Sequence, residues 1–508
     1  MPTIAIVGAG SAGATLAGRL TERPGIDVVL LEAGPAQRSA EVDATMRSPN
    51  PGRVLRTTSR FTWAGLNATR TSAQPAYRYW RGRGLGGTSA INGQIAIRPG
   101  PEAFESWPLS WRWQDVLPAF IRLEDDEHFG QEPYHGVGGP IPVHRAPLER
   151  WEPVDLALRS AALAAGHPEC PDHNAPTGTG VSPFAINSRD GRRVSTNDAY
   201  LDPARSRPNL RVVGDCLVDR VLIGGDGRAV GVRARVDGHW RDIEADVVVV
   251  AAGAVHSPAI LQRSGIGPAS LLLDLGIDVI ADLPVGRSLM EHPIAFCVVR
   301  LDGRSRASSV DARHTNCTVR YSSHLAGGGR NDLMLIGNNL VGGDEAGLSA
   351  GILGVALEES RSTGTVQITS PSPDADPVIE LNMLSDGADL ARLRDGARRL
   401  FDIARDPSVQ RIASSVMAGR STPIDHLADD DALDRWLLTE CVDGNHAAAS
   451  CPMGSVLDDG CAVHGVEGLH VIDASSFPTI TPANPHLTVV MLAEVMADRL
   501  ARAHSSGS

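Results

Sequence analysis

The sequence predicts an α/β protein, α+β overall, in which a Rossmann-like parallel unit is joined to a second domain built on an open antiparallel sheet with flanking helices. Three observations carry this. Residues 1 to 34, "MPTIAIVGAG SAGATLAGRL TERPGIDVVL LEAG", set an apolar strand, a glycine-rich turn, a helix and a second strand in βαβ order. The run Val247 to Ala251 is continuously apolar, as a strand buried on both faces must be. Between about 295 and 385, apolar and polar residues alternate in short runs such as "CTVRYSS" and "TGTVQIT", the period of a sheet with two different faces.

Taken in order, the strand Ile4 to Val7 ends in Gly8-x-Gly10-x-x-Gly13. Gly8 permits a tight turn, Gly10 lets backbone approach a pyrophosphate, and Gly13 lets the helix Ala14 to Thr21 pack on the strand. The strand Val28 to Leu31 ends in Glu32, a carboxylate at the spacing that accepts hydrogen bonds from a ribose 2′-hydroxyl and repels the 2′-phosphate of NADP. Strand, glycines, helix, strand and acid in that order predict a dinucleotide site. The stretch 77 to 107, "YRYWRGRGLGGTSAINGQIAIRPGPEAFESW", has five glycines between Gly82 and Gly93, too many for a helix, and its isoleucines 91, 95 and 97 predict a buried, ligand-contacting loop. Residues 108 to 200 carry a helical run at Pro153 to Ala165 and read as a lid or the first part of the second domain. Residues 209 to 258 read as antiparallel strands around a Gly-Gly-Asp-Gly turn, followed by the Val247 strand that returns the chain to the nucleotide domain.

A chain of 508 residues exceeds the roughly 250 to 300 over which one core grows, which predicts two domains. With 42% hydrophobic and 21% charged residues it reads as globular, and no segment offers the roughly 20 apolar residues that span a bilayer. The first strand begins too early for a leader, so a cytoplasmic address is expected. The net charge of −13 is spread without a basic stripe, which argues against nucleic acid as a partner. The seven cysteines are scattered, without a CxxC pair, and no HExxH-like spacing supports a metal. All 47 basic residues are arginine, which excludes lysine Schiff-base chemistry and a P-loop.

Separate blocks along the sequence resemble the glucose–methanol–choline (GMC) oxidoreductases, a family that binds FAD, and the likeness covers nearly the whole chain. Besides Gly8/Gly10/Gly13 with Glu32, "RGRGLGGTSAINGQIAIR" resembles the family's first signature and "GAVHSPAILQRSGIG" (253 to 267) its second. "LPVGRSLMEHP" (283 to 293) resembles a block usually written VGxNLxDH. "GNHAAASCPMGS" (444 to 455) resembles the segment whose histidine sits beside the flavin, and "VIDASSFPTITPANPHLTVVMLAEVMADRL" the closing segment. Ala447 to Ala449 stand where the family more often has Pro-Val-Gly. The Asn484-Pro485 pair is most similar to the choline oxidase and choline dehydrogenase branch.

The resemblance implies a catalytic pair, His446 as base and Asn484 as donor to the substrate oxygen, with His486 toward the substrate. For the cofactor it implies Gly8, Gly10, Ser11, Ala12 and Gly13 at the first turn, and Glu32 and Ala33 after the second strand. Arg83, Gly87, Thr88, Asn92 and Gly93 follow in the glycine loop, with Val218 and Gly253 beyond it. Asp473, Ala474, Asn484 and Pro485 complete the set near the C-terminus. It implies an FAD domain from about 1–150, 200–294 and 440–508, and a substrate domain from about 151–199 and 295–439. Ile91 stands where the choline oxidase branch carries the histidine that bonds its flavin, so the FAD is expected to be non-covalent.

An alcohol gives up a hydride easily only as its hydroxyl proton leaves, and an imidazole with an ordinary pKa of about 6.5 takes that proton near neutral pH. Asn484 and Pro485 are read as N-cap and first position of a helix through Leu500, aiming its dipole at the reduced flavin. His256, His292 and His464 are read as structural. The reaction expected is oxidation of an alcohol to an aldehyde or ketone, with dioxygen or another acceptor reoxidising the flavin through the space Gly444 leaves open. A hydroxynitrile-lyase-type reaction on the same scaffold is the alternative, and an FAD-binding protein without turnover a third reading. Aromatic content of 4% disfavours an aromatic cage for a quaternary ammonium. Substrate and oligomeric state are left open.

Overall fold

The computed structural model describes residues 2–57 and 59–505. Five strands form a parallel sheet in the order Leu210–Val213, Asp27–Leu31, Thr3–Val7, Val247–Val250, Leu469–Val471. Val247–Val250 is buried at all four residues, and the sheet is covered by helices and by a meander. The helices Ser11–Leu20 and His486–Ser505 pack on one another, and the meander Cys216–Ile223, Ala229–Val236, His239–Glu244 packs on the Val247 strand. All of these share one core. Burying one such valine side chain is worth roughly 1.5 kcal/mol or more of transfer free energy, so the uninterrupted run is what holds this strand at the centre.

A second sheet of seven strands is antiparallel throughout. Its order is Ala413–Ala418, Pro293–Leu301, Ala350–Leu357, Leu333–Asn338, Cys317–Tyr321, Gly180–Pro183, with Val442–Asp443 also pairing to Pro293–Leu301. Alternation assigns its faces: Ala295, Cys297 and Val299 join a second core with the helices Pro153–Ala164 and Gly387–Arg405, while Ile294 turns to a cavity shared with the parallel sheet. The α/β class with an antiparallel second sheet is therefore as the sequence predicts.

Two local readings are corrected. "CTVRYSS" joins the large sheet, but "TGTVQIT" does not: Thr365–Gln367 belongs to a separate four-stranded sheet with Val378–Glu380, Asn67–Thr69 and Ala76–Arg78. Alternation reports that a strand has two faces and carries nothing about its partners. The last helix begins at His486 and runs to Ser505, where Leu500 was expected as the end. Its first intrahelical bond, Val489 N–H to Pro485 O at 2.9 Å, makes Pro485 the cap and leaves Asn484 outside.

Candidate active site

One cavity of about 550 Å³ lies between the two sheets. Its first wall is the glycine turn. Gly8 has φ 98°, and a Cβ there would lie 2.6 Å from Ala251 O; a Cβ at Gly13 would lie 1.8 Å from Gly8 O. Both glycines are demanded by the protein's own backbone. Gly10 is different, since the nearest atom to a Cβ there is Gly87 Cα at 3.9 Å, so the space above it belongs to the cavity. The helix Ser11–Leu20 starts at this point with no side-chain cap, leaving its first N–H groups for a ligand.

Glu32 is buried and closes the turn. Its Oε2 accepts Ala9 N–H at 2.8 Å, and its Oε1 accepts Gly34 N–H at 2.9 Å and Gly84 N–H at 2.8 Å. Burial raises its carboxyl above the ordinary value against the pull of these three donors. The glycine loop folds against the turn through Gly86 N–H to Ala9 O at 2.8 Å. In that loop Asn92 Oδ1 accepts from Arg193 Nη1 at 2.8 Å.

Of the residues expected to bind cofactor, all line the cavity except two. Gly13 lies beneath the turn, and Arg83 donates to Ala33 O at 3.0 Å behind it. Asp473 lines the cavity, yet both its oxygens are used inside the protein: Oδ1 accepts from the Ser475 N–H and hydroxyl, Oδ2 from Gly253 N–H and the Ser257 hydroxyl. It clamps the helix Gly253–Arg263 to the turn that follows the last strand. Asp473→Ala leaves four donors, three of them buried, without an acceptor and is expected to cost at least about 3 kcal/mol, read as a lowered denaturant midpoint. An unchanged midpoint would show that the clamp is dispensable.

At the other end of the cavity stand His446 and Asn484, with Asn484 Nδ2 3.1 Å from His446 Nε2. An amide N–H facing Nε2 places the lone pair there and the ring proton on Nδ1. That proton points at His292 Nδ1, 2.9 Å away. His292, read as structural from the sequence, thus holds the tautomer of His446. The His446 backbone N–H donates to both oxygens of Glu291 at 2.8 Å, and Glu291 also takes the Tyr79 hydroxyl at 2.5 Å. Gly444 lines the cavity, and a Cβ there would lie 2.7 Å from His446 Nδ1, so its bareness makes room for the imidazole.

Burial, with lesser contributions from His292 and Arg81, holds the His446 imidazole well below its ordinary pKa. The ring is neutral across the physiological range, where the sequence reading had an unperturbed value. Ala449, where the family usually has glycine, keeps the left-handed backbone at φ 60°; strain of about 1 kcal/mol follows. His486, expected toward the substrate, bonds Ser11 Oγ at 3.1 Å, at the glycine turn, because the two helices that begin there abut. Two groups among the described residues have metal-like spacing, but the buried one, Glu124, Asp126 and His135, is already engaged by Arg98 and Arg145.

Sequence models described as GMC oxidoreductase match residues 4–294 and 360–493. The chain belongs to the GMC oxidoreductase family. This GMC oxidoreductase is 34% identical to the 5-(hydroxymethyl)furfural oxidase of Methylovorus sp., over 97% of the chain and 98% of that protein. It is 33% identical to the oxygen-dependent choline dehydrogenase of Burkholderia pseudomallei, over 97% and 93%. Among solved structures, pyridoxine 4-oxidase from Mesorbium loti superposes with a TM-score of 0.88 at 28% identity, covering 98% of this chain and 99% of that one.

The family uses FAD, and the cavity suits it. Gly10 leaves open the room a Cβ would fill, the helix N-terminus beside it is uncapped, and Arg81 Nη2, Asn484 Oδ1 and His486 Nε2 are buried on its walls without a partner in the protein. Among the described residues no helix is long and apolar enough to cross a membrane.

Proposed function

We propose that this GMC oxidoreductase oxidises an alcohol to an aldehyde or ketone, with His446 as the base and Asn484 as the donor that orients the hydroxyl. The observation that carries this is the 3.1 Å contact between His446 Nε2 and Asn484 Nδ2 at the cavity, which leaves the Nε2 lone pair there. The alcohol proton goes to Nε2; the Nδ1 proton stays on its bond to His292, and Glu291 keeps the backbone of His446 from moving as charge arrives. Asn484 Nδ2 donates to the oxygen without competing for its proton. When bound, FAD supplies the acceptor for the carbinol hydride, with dioxygen or another oxidant taking the electrons on.

We assign FAD to the part built from about 1–150, 200–294 and 440–508 and the alcohol to the part from about 151–199 and 295–439. The sheet side of the cavity, with Phe184, Ile294, Met334, Ile336 and Ala356, suits a small alcohol with an apolar body. Similar proteins named for 5-(hydroxymethyl)furfural, choline and pyridoxine support an alcohol as the class. Ile91 is a buried hydrocarbon on the cavity wall and offers no atom for a bond to flavin, which supports non-covalent binding.

Acid precipitation of the purified protein is expected to leave a colourless pellet and a yellow supernatant; a yellow pellet would refute non-covalent binding. Anaerobic addition of a panel of primary alcohols is expected to bleach the flavin. Substrate turnover without bleaching would support a lyase instead.

A further inference from the structure

Glu358 follows the strand Ala350–Leu357, two residues beyond Ala356, and lines the same cavity. It is 1% exposed, and neither carboxylate oxygen has a hydrogen-bond partner. Burying a carboxyl without a donor is costly, and such groups are normally bonded or paired. The groups around it are already engaged elsewhere. Arg320, the cation that acts on it, donates to the backbone carbonyls of His173 and Pro482. Glu291, the neighbouring acid, accepts from Tyr79 and from two backbone N–H groups. His292 Nδ1 lies 3.7 Å from Glu358 Oε2, beyond hydrogen-bond distance, and is committed to His446. Donors for this carboxyl must therefore come from what fills the cavity.

His292 also fixes where that donor sits. Its Nδ1 lies 2.9 Å from His446 Nδ1 and 3.7 Å from Glu358 Oε2, so the carboxyl oxygen lies within about 7 Å of His446 Nδ1. One small molecule can reach both. We propose that Glu358 is a specificity-determining residue that receives a protonated primary or secondary amine of the substrate, so that the alcohol oxidised is an amino alcohol with its carbinol at His446 and its N–H donors at Glu358. This rests on the reading of His446 and Asn484 as the alcohol-binding pair. A quaternary ammonium offers the charge without an N–H to donate to this unbonded carboxyl, so a trimethylated nitrogen is the poorer match. Burial lifts the Glu358 carboxyl to about 7, with Arg320 pulling it down and Glu291 pushing it up; at pH 8 the carboxylate and an alkyl ammonium coexist.

The test uses isosteric pairs with the FAD-loaded enzyme at pH 8: 3-amino-1-propanol against 1-butanol, and 3-(aminomethyl)benzyl alcohol against 3-ethylbenzyl alcohol, with choline alongside. The wild-type enzyme is expected to prefer the amine of a pair by about tenfold or more in kcat/KM, the scale of a hydrogen bond to a charged group, and to prefer it over choline. In Glu358→Gln the preference is expected to collapse, mainly through KM. Glu358→Leu, which removes the unbonded polar group and so favours folding, is expected to reverse it. A second readout is the perturbation of the oxidised flavin spectrum by propylamine, expected to need at least tenfold more amine in either variant. A wild-type preference for the hydrocarbon members or for choline, or a preference unchanged in both variants, overturns the inference. Failure of every alcohol to bleach the flavin would overturn the alcohol reading itself, and a normal amine titration in that case would leave the Glu358 site standing.

Discussion

His446→Ala is expected to slow flavin reduction by roughly 10²-fold or more, the scale on which a positioned general base acts. The substitution removes the one imidazole whose Nε2 lone pair faces Asn484 at the cavity wall, and leaves Glu291 and His292 in place behind it. Asn484→Ala is expected to slow reduction less, because it removes a donor and spares the base. The double variant should fall short of the product of the two single effects, since both groups act on one oxygen in one transition state. Stopped-flow reduction by the best alcohol of a panel measures all three. Reduction at the wild-type rate in a flavin-loaded His446→Ala enzyme would make this histidine structural, and the search for the base would move to His486.

The second large effect is expected in the glycine turn, and it differs between two glycines of the same motif. Gly13→Ala drives a methyl to 1.8 Å from Gly8 O, a clash with backbone that cannot move without separating the helix Ser11–Leu20 from its strand. Overpacking of this kind costs about 3 kcal/mol or more, and the protein should be recovered without flavin or in inclusion bodies. Gly10→Ala meets nothing in the protein closer than 3.9 Å, so it should fold normally. Its methyl would stand where the cofactor's pyrophosphate approaches the helix N-terminus, so flavin should be lost on gel filtration. The ratio of flavin to protein absorbance, with the thermal midpoint, separates the two cases. A Gly10→Ala protein that kept a full complement of flavin would move the pyrophosphate away from this turn.

The opening βαβ unit was legible because its signals are local. An apolar run, glycines at fixed offsets and an acid at the end of the next strand each act through near neighbours, and the strands Thr3–Val7 and Asp27–Leu31 lie within a residue of the predicted ones. The same holds for Val247–Val250 and for the helix Pro153–Ala164. The cap of the last helix was misread because Asn484 has two uses for one amide, and its side chain turns to His446 in place of the helix N–H groups. The sheet membership of Thr365–Gln367 was hidden because pairing depends on a strand almost 300 residues away, Asn67–Thr69, reached through Val378–Glu380.

Glu291, His292 and Glu358 show the remaining limit. Glu291 and His292 were visible within a recognised block, but nothing in the order of residues says that the strand after them returns to His446. Glu358 left one trace, an acid ending the otherwise apolar run "AGILGVAL". What the sequence alone determined is the set of elements whose cause is local: the glycine turn, the buried strands, the acid that closes the turn, and through them the family and its cofactor. What only the tertiary structure decided is the protonation pattern and charge of the site. The lone pair on His446 Nε2, the depressed imidazole and the unbonded Glu358 carboxyl arise from burial and from partners on separate strands, and desolvation acts on a group only once distant parts of the chain have closed over it.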